Sequence, residues 1–383
     1  MKKRADGRYK RSILIGYTEE GKEKRKYVYG TSKKEVEQKI SEIRMQLERG
    51  VYIEDKNLTV GEWADKWLAT YKTGVQYNTF EMYTHIISHY IKPEVGNLPL
   101  TKLKTHHIQN IINKYAAKGL TRTLQQIKLT MNQIIKQAIN NDLLYKNVAE
   151  NVTLPQIDSH SKRSLTNEEK KLLEKADFTM KEKAFVSLLL YSGLRRGEAL
   201  ALTRNDIDFE KNVIRVNKTI IYKGNNAEIK NSPKTDAGNR EIPILSNLKS
   251  ILRDYIQSIQ TIYSFTQNNG EIMSKSSFRR FWDGIMDKLN TAAGGRNYIS
   301  RNKGENKVIA ISQDITPHTF RHTYATMLYY AGVDIKTAQY LLGHSSIKVT
   351  MDIYTHIDKS QVKNTVSKLE LFLNENKKIE SQN

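Results

Sequence analysis

The stretch "TPHTFRHTYATMLYYAG", residues 316–332, sets two histidines four apart, His318 and His322, with Arg321 between them. On a helix, positions i and i+4 share a face, so the pair could hold zinc. The neighbouring residues argue against it. Zinc hydrolases with this spacing read H-E-x-x-H, the glutamate being the base; here Thr319, Phe320 and Arg321 intervene, which removes the base and adds a positive charge. An anion fits better. Thr316 can cap the helix and Pro317 suits its first position. His318 and Arg321, three apart, then face one way, and both can donate hydrogen bonds to an anionic oxygen, arginine through its rigid fork. His322 lies one position round and is assigned to support.

Other segments supply parts of the same kind. "YSGLRRGEAL" (191–200) gives Arg195, Arg196 and Glu198 after an apolar helix, with Glu198 a turn beyond Arg195 to orient a neighbour. "NSPKTDAGNREIPI" (231–244) puts Lys234 in a turn-rich loop ahead of a strand. "LLGHSSIKVTMDIYTHI" (341–357) places His344 after a glycine and Tyr354 ten residues later in an amphipathic helix. Each alone has a plain reading: Arg-Arg-Gly-Glu as a surface ion pair, one tyrosine among 21 as packing.

Composition narrows the partner. A formal charge of +21 in 383 residues repels itself in a compact state, so a polyanion is implied, nucleic acid ahead of an anionic membrane surface. The absence of cysteine removes disulfides, thiolate catalysis and cysteine zinc sites, and suits a cytoplasmic protein. No run approaches the roughly 18 apolar residues of a spanning helix. No apolar stretch or cleavage site follows the basic start "MKKRADGRYKR", so a signal peptide is not expected.

The chain reads as three regions. Residues 1–30 carry ten Lys/Arg against four Asp/Glu, in two β-rich runs, "RYKRSILIGY" and "KRKYVYG", around a turn near Gly21. A capping box, Ser32 with Glu35, then starts a helix with Val36, Ile40, Ile43 and Leu47 on one face, ending at Gly50. A β-ribbon can enter a major groove, which makes Arg8, Lys10, Arg11, Lys24, Arg25 and Lys26 candidate DNA contacts. A solvated charged hairpin is the alternative. A second box, Thr59 with Glu62, opens an all-helical region in which Trp63, Trp67, Leu68 and Tyr71 form an apolar face. Helices are expected near 79–91, 105–117 and 121–140, separated by "KPEVGNLPL" and "AKGL". His85 and His89, without a third ligand, read as surface histidines. "PQIDSHSKRS" (155–164) reads as a linker. A third box, Thr166 with Glu169, opens the last region: helices, short strands in "NVIRVNKTIIY" and "REIPI", then mainly helix from about 246. "TAAGGRNYISRNKGENK" (291–307) reads as an exposed loop.

Taken in order, G-L-R-x-G-E, a lysine in a loop before a strand, H-T-F-R-H-T-x-A-T and L-G-H-S-S…Y-T-H resemble the tyrosine recombinases, the phage-integrase family. The resemblance covers about 165–358. It implies a catalytic set of Arg195, Lys234, His318, Arg321, His344 and Tyr354, with Glu198 in support; the P-K-T context favours Lys234 over Lys230, and Arg196 faces outward. The organisation resembles three-domain integrases of temperate phages and conjugative transposons. It implies a multidomain α+β chain: an arm-site DNA-binding domain over 1–52 (three-stranded sheet plus helix), a helical core-binding domain over 57–155 and a mainly α catalytic domain with a small antiparallel sheet over 165–383.

The resemblance further implies a site-specific recombinase that integrates or excises a mobile element. It would act through a 3′-phosphotyrosyl bond and a Holliday junction, as a homotetramer on double-stranded DNA with core and arm-type sites. The resemblance leaves room for excision or host DNA-bending factors beside it on DNA in a bacterial cytoplasm, with no cofactor, metal or membrane implied. A C-terminal helix near 360–375, with Val362, Val366, Leu369 and Leu371, would pack on a neighbouring protomer or on its own domain. Two other readings stay open: a non-catalytic DNA-binding regulator on this fold, and a type IB topoisomerase-like enzyme.

Overall fold

The structure, a computed structural model, describes residues 1, 3–18, 20–50, 52, 58–155, 163–231, 238–296, 299–300, 304–305 and 308–354, with backbone alone at 299–300, 304–305 and 354. Lys234, the middle of the expected linker and the expected helix at 360–375 lie outside the described residues. The chain forms two compact units, 1–159 and 160–383.

In the first unit, β1 (Tyr9–Tyr17) and β2 (Glu23–Gly30) pair antiparallel, Tyr9 opposite Gly30, with a bulge between Leu14 and Gly16. Alternation along the strands points Val28 towards α1 (Lys33–Glu48), where it meets Val36 and Ile40 in a small buried cluster. Three strands were expected here and two are found among the described residues. Ahead of Tyr9 the chain closes a turn, Gly7 N–H donating to Arg4 O at 3.0 Å and Arg4 N–H to Arg8 O at 2.9 Å. Among the described residues ahead of this turn, Lys3 alone reaches the sheet, in an isolated bridge to Tyr9. Ser32 caps α1 by accepting from Glu35 N–H at 3.1 Å, but the Glu35 carboxylate turns to the N–H and hydroxyl of Thr31, at 2.7 and 2.8 Å, so the capping box is half made.

The helical part follows: α2 (Val60–Tyr71), α3 (Tyr77–Ile86), a π turn (Ile87–Ile91), α4 (Lys92–Val95), α5 (Thr105–Ala116) and α6 (Thr121–Asn140). The Thr59–Glu62 box is reciprocal, at 3.2 and 2.8 Å. Pro93 sits in the first turn of α4, where its missing N–H is not needed, so the expected separator is itself partly helical. Trp63, Trp67, Ile86, Ile108, Ile127 and Ile134 share one core, and the Trp63 indole N–H donates to Ile134 O at 3.0 Å. Tyr71, the last residue of α2, is instead exposed, its hydroxyl donating to Asn141 Oδ1 at 3.0 Å. The rings of His85, near the end of α3, and His89, on the π turn, lie 4.3 Å apart, and no group of three or more metal-ligating residues exists among the described residues.

The second unit contains α7 (Asn167–Lys175), α8 (Met180–Ser192), α9 (Arg196–Ala201), β3 (Ile207–Asp208), β4 (Val213–Val216), β5 (Lys218–Lys223), β6 (Asn226–Asn231), β7 (Arg240–Pro243), α10 (Ser246–Ser258) and α11 (Lys275–Ala292). It closes with β8 (Ile299–Ser300), β9 (Gly304–Glu305), α12 (Pro317–Tyr330), α13 (Ile335–Leu342) and α14 (Ile347–Tyr354). Strands β3, β4 and β7 form one antiparallel sheet; β5–β6 and β8–β9 are separate hairpins, the last lying in the stretch expected to be irregular. Helix α8 is apolar almost all round, as a central helix must be. Ala184, Phe185, Val186, Leu188 and Leu189 are buried, with Phe265, Phe278, Trp282 and Phe320 in the same core. No described helix is long and apolar enough to cross a membrane.

Candidate active site

The site is built where α8, α9, α12 and α13 end or begin. Helix α8 stops at Gly193, whose φ of 62° is left-handed. A Cβ there would lie 2.3 Å from the Tyr324 ring of α12, so only glycine lets the two helices approach. Two residues on, Arg195 caps α9, its N–H donating to Glu198 Oε2 at 2.9 Å and its Nη1 to Glu198 Oε1 at 2.7 Å. Gly197 brings α9 onto β5: a Cβ there would stand 2.5 Å from Thr219 Oγ1 and 2.7 Å from Ile220 O.

The last carbonyls of a helix have no partner within it and carry the negative end of its dipole. In α13 every one from Gln339 onward is taken. Gln339 O accepts from His344 N–H at 3.1 Å and Tyr340 O from Gly343 N–H at 2.9 Å. The next three each take an arginine: Leu341 O from Arg240 Nε at 2.8 Å, Leu342 O from Arg321 Nη2, and Gly343 O from Arg195 Nη2 at 2.7 Å. Arg321 also donates to Gly193 O at 2.9 Å, which ties α12 to the end of α8. Arg321 is 6% exposed, whereas the Arg195 side chain keeps 38% of its surface.

Glu198 is the carboxylate that joins this group. It is buried, accepts from Arg195 and binds Arg240 through both oxygens, at 3.3 and 2.8 Å. Burial alone would raise its pKa; Arg240 and then Arg195 overcome that and hold it at about 2. Arg321 is pushed down to about 9, first by burial and next by the Arg195 charge, and stays protonated at neutral pH. His344, 7% exposed, is pushed down to about 3 by burial, then by Arg321 and Arg195, so its ring is neutral. Its Nδ1 lies 2.9 Å from the hydroxyl of the fully buried Thr350.

Arg195, Glu198, Arg321 and His344 are therefore brought together around one helix end. His318 is exposed on the first turn of α12, which starts with Thr316 N–H donating to Thr319 Oγ1 at 3.0 Å. The backbone of Tyr354 ends α14; its side chain and Lys234 are outside the described residues. Arg196 is exposed and lies over the Tyr222 and Phe278 rings, at 5.5 and 5.2 Å.

Sequence reasoning missed Arg240, which shares strand parity with buried Ile242. It also missed the fastening of α12. Arg163 bridges Glu169 and Asp314, while Leu165 N–H donates to Thr323 Oγ1 at 2.9 Å and Ser164 pairs with Thr326.

The six N-terminal basic residues divide between the two faces of their sheet. The register puts Lys10 and Arg25 on the face away from α1, with Tyr27 and Tyr29, and Lys10 Nζ sits 3.8 Å over the Tyr27 ring. Arg8 has the same parity, lies over Tyr29 and pairs with Asp6 at 3.1 Å. Arg11, Lys24 and Lys26 alternate to the α1 side, where Arg11 pairs with Glu37.

The profile of the phage integrase family matches residues 162–361, and that of its N-terminal SAM-like domain residues 59–116. A tyrosine recombinase XerC-like protein of Caldanaerobacter subterraneus subsp. tengcongensis is 29% identical over 399 residues, covering 95% of this chain and 96% of the relative. The ICEBs1 integrase of Bacillus subtilis is 22% identical over 377 residues, covering 97% and 99%. Among solved structures, the Tn1549 transposon integrase in complex with a circular intermediate DNA superposes with a TM-score of 0.68 at 24% identity, over 82% of this chain and 99% of that one. At that identity the likeness speaks for the fold.

Proposed function

The chain belongs to the phage integrase family and is a tyrosine-type site-specific recombinase; on that premise we propose how its residues carry the reaction. Tyr354 attacks a DNA phosphate. Its Oη–P bond forms as the P–O5′ bond breaks, leaving a 3′-phosphotyrosyl link and a 5′-hydroxyl, and the link conserves the phosphodiester for rejoining to another strand. His318 takes the tyrosine proton and Lys234 gives one to the leaving 5′-oxygen. Arg195 and Arg321 hold the non-bridging oxygens as charge grows on them, each worth about 3–4 kcal/mol by analogy with oxyanion-hole donors. In the tautomer in which the Thr350 hydroxyl, 2.9 Å away, donates to Nδ1, the one proton of the neutral His344 ring sits on Nε2 and donates from there to the phosphate.

The observation that supports this reading best is the gathering of three guanidinium groups and His344 around the end of α13. The DNA is a mobile element's core site, with arm-type sites read by the N-terminal sheet; a homotetramer on two sites passes through a Holliday junction, in the cytoplasm of a bacterial host. Related proteins are integrases seen on DNA, one of them, lambda integrase, as a tetramer on a Holliday junction. The test is a nicked suicide duplex carrying the element's junction sequence. Wild type is expected to leave a covalent adduct on a denaturing gel and Tyr354→Phe none. An adduct that persists in the variant would overturn the assignment of the nucleophile.

A further inference from the structure

We infer that Arg240 is a positioning residue of this reaction: it holds Glu198, and through it the Arg195 guanidinium, against the helix end that also seats Arg321. The inference rests on the proposed roles of Arg195 and Arg321. Arg240 opens β7 and its side chain is 0% exposed. Nε donates to Leu341 O at 2.8 Å, Nη2 to Glu198 Oε2 at 2.8 Å, and Nη1 to Glu198 Oε1 and Gly238 O, both at 3.3 Å. Four of its five N–H groups are thus used inside the protein, and the side chain has no surface to offer a phosphate.

What Arg240 holds is informative. Each Glu198 oxygen is shared: Oε1 between the Nη1 groups of Arg195 and Arg240, Oε2 between Arg195 N–H and Arg240 Nη2. The carboxylate that aims Arg195 is therefore itself aimed by Arg240. The bond to Leu341 O joins β7 to α13 one residue before the carbonyl that holds Arg321 and two before the one that holds Arg195. The bond to Gly238 O fixes the backbone four residues after Lys234. Burying Arg240 on a glutamate it shares with Arg195 costs desolvation that an apolar pair would avoid, and what that cost secures is the geometry around Arg195.

The test compares single-turnover adduct formation on two suicide duplexes, one with a normal scissile phosphate and one with a neutral methylphosphonate there. On the normal duplex, Arg240→Met is expected to slow adduct formation about 100-fold while DNA affinity, read by gel shift, changes by less than about threefold. A methylphosphonate gathers less negative charge, so a defect that acts through Arg195 shrinks on it to about tenfold or less, as it does for Arg195→Ala. The double variant Arg195→Ala/Arg240→Met is expected to be within about threefold of Arg195→Ala alone, because both disable one unit.

Arg240→Lys keeps a charge beside Glu198 and is expected to recover part of the rate; it carries the same comparison if the methionine variant fails to fold. An equal deficit on both duplexes, or additive losses in the double variant, would mean a merely structural role and overturn the inference. So would a variant as fast as wild type. If wild type itself forms no adduct, the proposed reaction falls and the inference with it.

Discussion

Arg321 makes two contacts that a single ammonium cannot reproduce, to Gly193 O and to Leu342 O. Arg321→Lys keeps the charge but leaves at least one buried carbonyl unpaired, which destabilises the unit by about 1–3 kcal/mol in urea unfolding. Loss of the fork is expected to slow adduct formation about 100-fold or more; a rate within threefold of wild type would show that charge alone suffices. His344 gives a pH signature. Folded, its pKa is about 3, against an ordinary 6.5. As pH falls below 6.5 the unfolded chain binds a proton that the folded chain refuses, so stability drops, by about 2 kcal/mol at pH 5 from this group. The groups that disfavour the proton are Arg321, Arg195, Arg240 and His322. His344→Gln is expected to remove that share of the fall, seen as a shallower dependence of unfolding free energy between about pH 7 and 5. Parallel curves for the two proteins would contradict the buried neutral ring. Arg195, Arg321 and His344 stand out in the sequence because glycine turns and capping residues frame them. Arg240 does not: in "REIPI" one arginine reads as a solvent-facing strand end, and only its parity with Ile242 signals burial.

Among the elements, the contact of α9 with β5 is the most exacting. Gly197→Ala puts a methyl 2.5 Å from Thr219 Oγ1 and 2.7 Å from Ile220 O. The hydroxyl can turn away, but the carbonyl belongs to the strand, so α9 must shift. The expected cost is about 1–3 kcal/mol in stability, with a larger loss in adduct rate because Arg195 and Glu198 move with the helix. Gly197→Ala/Thr219→Ala is expected to recover only part of either. Full recovery would place the strain at the side chain alone. The elements legible in sequence were those with strong local signals. The reciprocal boxes Thr59–Glu62 and Thr166–Glu169 marked helix starts, and the all-apolar run of α8 marked a buried helix. Strand β6 was illegible because "NAEIKN" is mostly polar and pairs only through its hairpin with β5. Glu35 satisfied the capping pattern yet turned to Thr31, a choice between neighbouring donors that spacing does not decide.

For the molecule as a whole, the charge of +21 sets the conditions under which it meets DNA. Binding to a full site is expected to weaken roughly a thousand-fold between 50 and 200 mM salt, since phosphate contacts release counterions. A log–log slope shallower than about −3 would argue against a phosphate-dominated grip. Lys10→Ala/Arg25→Ala, on the sheet face away from α1, is expected to weaken binding to arm-type DNA and lower that slope by about 1–2, leaving adduct formation on an isolated core site unchanged. The same change at Arg11 is expected to matter less, because Glu37 already pairs with it on the α1 side. Composition announced the polyanion, but which cations share a face depends on strand register, and the Leu14/Gly16 bulge adds an offset that no period-2 pattern reveals.

The arginines around α13 are held by main-chain oxygens, which exist whatever side chains the helix carries. Exposed Lys336 is therefore free to drift in sequence, whereas exposed Tyr340 is not, because its hydroxyl accepts from Glu241 N–H at 3.1 Å beside Arg240. Its length has no such freedom. One residue inserted or deleted before Leu341 turns the helix end by about 100° and displaces it by about 1.5 Å, removing all three seats at once. Substitutions at exposed positions without such bonds are expected to keep adduct formation where single-residue indels abolish it, and a deep mutational scan of 335–342 should show that contrast.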